Sequence, residues 1–78
     1  MITGVQIRAA RALLGWTQQQ LADASIISGT ALKQLENGST NPKMSTVTAV
    51  KKTLEDAGVE FISASAGKGE GVRLTKSG

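Results

Sequence analysis

The sequence predicts a mainly α fold: four short helices followed by a β-hairpin or strand pair. Two observations carry this. Up to residue 57 the aliphatic residues recur at helical spacing, in segments closed by Gly15, Asn37-Gly38 and Gly58. After Gly58 the period falls from about 3.6 to 2, the spacing of alternating strand faces.

The first helix is expected from about Thr3 to Leu14. Ile7, Ala10, Arg11 and Leu14 share one of its faces, and Gly15 stops it. Residues Trp16 to Leu21 then form a dense helix start. Thr17 reads as N-cap, Gln20 completes a capping box, and Trp16 and Leu21 hold the two positions of a hydrophobic staple. The staple makes Trp16 a core residue in preference to a base-stacking one. This second helix ends near Ala24 or Ser25.

Ser28 can cap a third helix, from Gly29 to about Glu36, with Leu32 and Leu35 inward. Asn37-Gly38 closes it, since both residues tolerate positive φ. Ser39 to Lys43 is a loop containing the sole proline. A fourth helix runs from about Met44 to Ala57, with Met44, Val47, Val50, Lys51 and Leu54 marking one side. Beyond Gly58, Val59 and Phe61 alternate with Glu60, and Val72 and Leu74 flank Arg73. The intervening SASAGKGEG reads as a flexible loop between two strands, and Thr75 to Gly78 as a frayed end. The organisation is therefore a helical domain over residues 1–58 and a strand segment over 59–78.

Composition excludes several function classes. The 78 residues contain no histidine and no cysteine. No paired carboxylates or base-activated serine stand out, so no catalytic role, metal or cofactor is expected. The glycine-rich segment lacks a phosphate-cradling pattern and joins two strands. No window of about 20 apolar residues suggests a membrane span. The N-terminus lacks the pattern of a secretory signal, so a cytoplasmic location is expected. The net charge of +3 mildly favours an anionic partner.

Two short helices joined by a tight turn and braced on either side form a helix-turn-helix arrangement. On the wheel of the third helix, Thr30, Lys33, Gln34 and Asn37 lie opposite Leu32 and Leu35. A polar outer face with one positive charge suits a major groove, and a glutamine amide can pair bidentately with adenine.

From Ile7 to Ala57, about two-thirds of the chain, the sequence resembles the phage repressor and Cro type of helix-turn-helix domain, the XRE family. The segments RAARALLGWTQQQLA, SGTALKQLENG and NPKMSTVTAV carry the resemblance. It implies a four-helix lambda-repressor-like fold and a sequence-specific regulator, most simply a repressor, bound to double-stranded DNA. By position, Thr17 and Gln18 match phosphate contacts. Gly29, Thr30, Lys33 and Gln34 match recognition-helix positions facing bases or flanking phosphates, with Gln34 the foremost candidate for a base. Asn37, Ser39, Thr40 and Lys43 match the stretch that approaches the backbone after that helix. Arg11 and Glu36 match a structural ion pair. Arg8, one turn earlier, is open to either phosphate or water.

The chain departs from the family pattern twice. Ile26 occupies the turn position where the family usually has glycine, so either the residue is strained or the turn keeps φ negative. Gly29 stands where a larger side chain is common, so that contact is missing or made by the backbone N–H. The strand segment lies outside the core resemblance, although short regulators of this family often carry a similar one. Val59, Phe61, Val72 and Leu74 are the expected apolar contacts of a homodimer, which would read a palindromic operator. The alternatives are an antitoxin-type regulator whose C-terminal segment binds a toxin, and a protein-interaction module that keeps the fold without reading DNA.

Overall fold

The computed structural model describes residues 2–39 and 41–75 of the chain. Its order is α1 (Gly4–Leu14), α2 (Gln18–Ser25), α3 (Gly29–Glu36), α4 (Met44–Asp56), β1 (Val59–Ile62) and β2 (Gly71–Leu74). Thus the mainly α architecture with a C-terminal hairpin stands as the sequence predicts.

Each of the first three helices starts at a side-chain cap. Thr3, Thr17 and Ser28 accept from the backbone N–H of Gln6, Gln20 and Ala31. The capping box at Thr17 and Gln20 is present, and so is a second one at Thr3 and Gln6. Thr3 is therefore the cap of α1, and Gly4 its first helical residue. Each box satisfies two amides that a helix start leaves unpaired.

The same three helices end alike. At each end two successive N–H groups reach back to the last turn: Gly15 and Trp16 to Ala12 and Arg11, Ile26 and Ile27 to Asp23 and Ala22, and Gly38 and Ser39 to Leu35 and Gln34. This termination places one residue in the left-handed region. Two of the three are glycine, with φ 68° at Gly15 and 81° at Gly38. The third is Ile26, at φ 57° and ψ 48°. The strained alternative holds for the turn. Asn37, also a candidate for positive φ, lies at φ −87° and leaves that role to Gly38.

The core is aliphatic, built from Ile7, Ala10, Leu21, Ala22, Leu32, Leu35, Val47, Val50, Leu54 and Val59. Trp16 and Ile27 pack against it while partly buried, which fits the staple and the inward anchor of the turn. Met44 departs from its expected place: it is exposed at the first position of α4, where no wall of the core has yet risen.

The strands pair antiparallel, with Val59 opposite Leu74, Glu60 opposite Arg73, Phe61 opposite Val72 and Ile62 opposite Gly71. Val59, Phe61, Val72 and Leu74 therefore share one face, as alternation requires. The link between the strands is more ordered than a flexible loop. Ser65 and Lys68 exchange both backbone hydrogen bonds, at 3.0 and 2.8 Å, across Ala66 (φ 50°) and Gly67 (φ 78°). Two successive positive φ angles are the geometry of a tight hairpin turn. Thr75 is not frayed either, since its N–H and hydroxyl both donate to the Gly58 carbonyl, at 2.7 and 3.1 Å. Residues 76–78 lie outside the described part.

Gln6 fastens the hairpin to the helices. Its side chain is buried at the start of α1, where its Oε1 accepts from the Thr3 N–H at 2.8 Å. Its Nε2 donates to the carbonyls of Ile62 at 3.3 Å and Gly71 at 3.0 Å. One amide thus completes a helix cap and holds both strands.

Candidate nucleic-acid interface

The helix α3 is anchored along one side and bare along the other. Leu32, Leu35 and Glu36 are buried, whereas Thr30, Lys33, Gln34 and Asn37 are exposed. The anchor is stiff because α1 grips the C-terminal end of α3 at two points. At the first, Gly4 lies so close that a Cβ there would stand 2.5 Å from the carbonyl oxygens of Leu35 and Glu36. At the second, the Arg11 guanidinium meets the Glu36 carboxylate through Nε at 2.7 Å and Nη2 at 2.8 Å. A bidentate pair fixes angle as well as distance.

Arg11 Nη1 also donates to the Trp16 carbonyl at 3.3 Å, and Gln18 Nε2 to Glu36 Oε1 at 3.2 Å. The buried Glu36 thereby ties α1 and the head of α2 to the end of α3. These contacts hold Arg11 and Glu36 together where α1, α2 and α3 meet. They also engage one N–H of Gln18, a residue matched to a phosphate contact.

Most of the remaining expected residues fall into two groups, while Lys33 stands exposed on α3 outside both. Gln34, Ser39 and Lys43 line one cleft of about 330 Å³, closed by Ala31, Leu35, Asn41, Pro42 and Thr46. Gln34, Asn37, Gly38 and Ser39 line a shallower hollow beside it. The end of α3 and the following loop thus share two neighbouring hollows, both lined by Gln34 and Ser39. Thr40 belongs to the same stretch of sequence but lies outside the described residues. Thr17, Gly29 and Thr30 instead sit at the heads of α2 and α3. The first N–H groups of a helix have no intrahelical partner and carry its positive end, so both heads attract an anionic backbone.

Both parts of the chain carry a small positive excess: residues 1–58 hold six Lys and Arg against four Asp and Glu, and residues 59–78 three against two. Glu36, one of the four acids of the helical part, is neutralised by Arg11. Arg8 lines a cleft with Asn37 and Gly38, beside the end of α3.

Two residues outside the expected set bear on this surface. Gln6 fixes the hairpin, and the Thr-x-x-Gln spacing at Thr3 was a visible signal for its cap. Gln19, exposed on α2, donates through Nε2 to Asp23 Oδ1 at 2.8 Å. Its Oε1 stands 3.5 Å from where a Cβ on Gly29 would be. The spacing of four residues suggests the first contact but not the second, which depends on the angle between two helices.

Of the two expected anomalies, Gly29 is open: a side chain there would meet only ordinary contact. The dimerisation set is unevenly placed. Val59 is buried in the chain's own core, Phe61 and Val72 pack partly against it, and Leu74 is half exposed. No helix among the described residues is long and apolar enough to cross a membrane.

A braced pair of short helices, the second presenting an exposed polar face, defines a helix-turn-helix DNA-binding regulator. A family model described as helix-turn-helix matches residues 7–55, more than half of the chain. The protein belongs to that family, the Cro/C1-type or XRE helix-turn-helix proteins. A search of curated proteins returned no match.

Proposed function

We propose that the protein is a dimeric transcriptional repressor that reads a palindromic operator through α3. The observation that carries this reading is the exposed row Thr30, Lys33 and Gln34, opposite the buried Leu32 and Leu35. In the proposed complex Gln34 contacts a base edge, and Lys33, Asn37, Ser39, Thr40 and Lys43 contact the groove walls or backbone. Thr17 and Gln18 hold phosphate at the head of α2. Gly29 brings its backbone N–H close to the duplex.

Dimerisation through the hairpin rests on Leu74 and on the strand edges. A two-stranded sheet leaves an unpaired edge on each strand, and two copies could satisfy such edges together. The same half-exposed Leu74 would serve an antitoxin-type regulator as a docking point for a different protein.

Titration of duplex DNA at several salt concentrations, followed by site selection from random duplexes, tests the reading. Affinity is expected to fall steeply with salt, and the selected site to be palindromic. Gln34→Ala should weaken the selected site by about 1–3 kcal/mol at one base pair of each half-site. Absence of binding at low salt, from a folded sample, would overturn DNA recognition. Leu74→Arg should shift the mass in solution from dimer to monomer; an unchanged dimer would overturn the proposed contact. Truncation after residue 58 is a poorer test, because it removes the core residue Val59 and both strand acceptors of Gln6.

A further inference from the structure

We infer that Gln19, on α2, is a specificity-determining residue that supplies the base contact missing from Gly29 at the head of α3. The inference rests on the proposal that this head enters a major groove.

The first residues of a recognition helix are those that approach base edges. Here the first one has no side chain. The space beside it is not featureless, because the Gln19 amide oxygen stands 3.5 Å from the position a Gly29 Cβ would take. The tip of a side chain from the neighbouring helix thus lies beside the point where one from α3 would begin. Gly29 itself places no side chain over that tip.

The amide is also oriented. Its Nε2 donates to Asp23 Oδ1 at 2.8 Å, one turn further along α2, which turns Oε1 toward Gly29. Both side chains are exposed, so the pair meets solvent or a ligand and not the core. The two together present mainly acceptors: the glutamine oxygen and the carboxylate of Asp23. That chemistry disfavours the acceptor atoms of guanine and thymine. It matches the exocyclic amino group of cytosine or adenine. Asp23, exposed and hydrogen-bonded to the Gln19 amide, adds selection by repulsion.

Site selection from random duplexes with the full chain, run in parallel on the wild type, Gln19→Ala and Gly29→Gln, tests this. Thermal melting of each variant confirms folding; Gln19 is exposed and a Gly29 side chain has room. Gln19→Ala is expected to lose the preference at one base pair per half-site and keep the preferences read by Gln34. Its affinity for the wild-type site should fall about tenfold, the scale of one good base contact. Gly29→Gln is expected to change the preferred base at that same pair. If Gln19→Ala selects the wild-type site unchanged, the inference is overturned while DNA recognition stands. If the wild type selects no sequence at all, both fail together.

Discussion

Arg11 and Glu36 meet fork to fork, at 2.7 and 2.8 Å, with the glutamate side chain 2% exposed and the arginine 20%. The pair joins the first helix to the end of the third, so the direction of the third helix depends on it.

Glu36→Gln is expected to destabilise the fold by about 3 kcal/mol, because it leaves an arginine largely buried without its counter-charge. A domain of this size has roughly 3–5 kcal/mol to lose, so the variant should be substantially unfolded in a urea titration. Loss of DNA binding would then follow from loss of structure.

The exposed pair Arg73 and Glu60 should behave differently despite a similar distance of 2.8 Å. The Arg73 hydrogen bond, and then its charge, hold the Glu60 carboxyl below its usual pKa. A depressed carboxyl contributes stability that is complete above its unfolded pKa and fades as pH falls through the folded one. Solvent screens both groups, so Glu60→Gln should barely move the melting temperature at neutral pH. Any difference should fade as the pH falls through the lowered pKa of Glu60. A large neutral-pH shift would contradict the screening argument.

Ile26→Gly should stabilise the protein by about 1 kcal/mol. The left-handed conformation costs an L-residue roughly 1–2 kcal/mol, and glycine returns part of that gain as unfolded-chain entropy. Little burial is forfeited, because Ile26 is 92% exposed. The melting temperature should rise by several degrees, and a fall would show that the isoleucine makes a stabilising contact.

Two glycines at equivalent first helical positions should respond in opposite ways to alanine. Gly4→Ala drives a Cβ against the carbonyls of Leu35 and Glu36 and should cost about 1–3 kcal/mol. Gly29→Ala meets its nearest neighbour at 3.5 Å and should stabilise by about 0.5–1 kcal/mol. Chemical denaturation of the two variants side by side checks the pair, and equal effects would refute the packing argument.

What could be read from the sequence was local. Caps, stops and inward leucines each depend on residues within a few positions, so Thr17, Ser28, Leu32 and Leu35 were legible. The outward face of α3 was legible for the same reason, as the complement of the inward one. Relationships across the fold were not. Nothing in the spacing of Gln6 indicates carbonyls 56 and 65 residues away, and nothing in that of Gly4 indicates the end of α3. Gln19 beside Gly29 belongs to this second kind, because the angle between two helices decides it. Ile26 was legible as an anomaly, and three-dimensional structure was needed to choose between its two resolutions.

The three helix ends that share one termination geometry carry an evolutionary consequence. Gly15 and Gly38 fill the slot at no steric cost, while Ile26 fills the same slot against its preference. Every isoleucine codon lies at least two nucleotide changes from a glycine codon, so no single base substitution places glycine in the turn. The link between α2 and α3 thus keeps stability in reserve that point mutation of the gene does not readily reach.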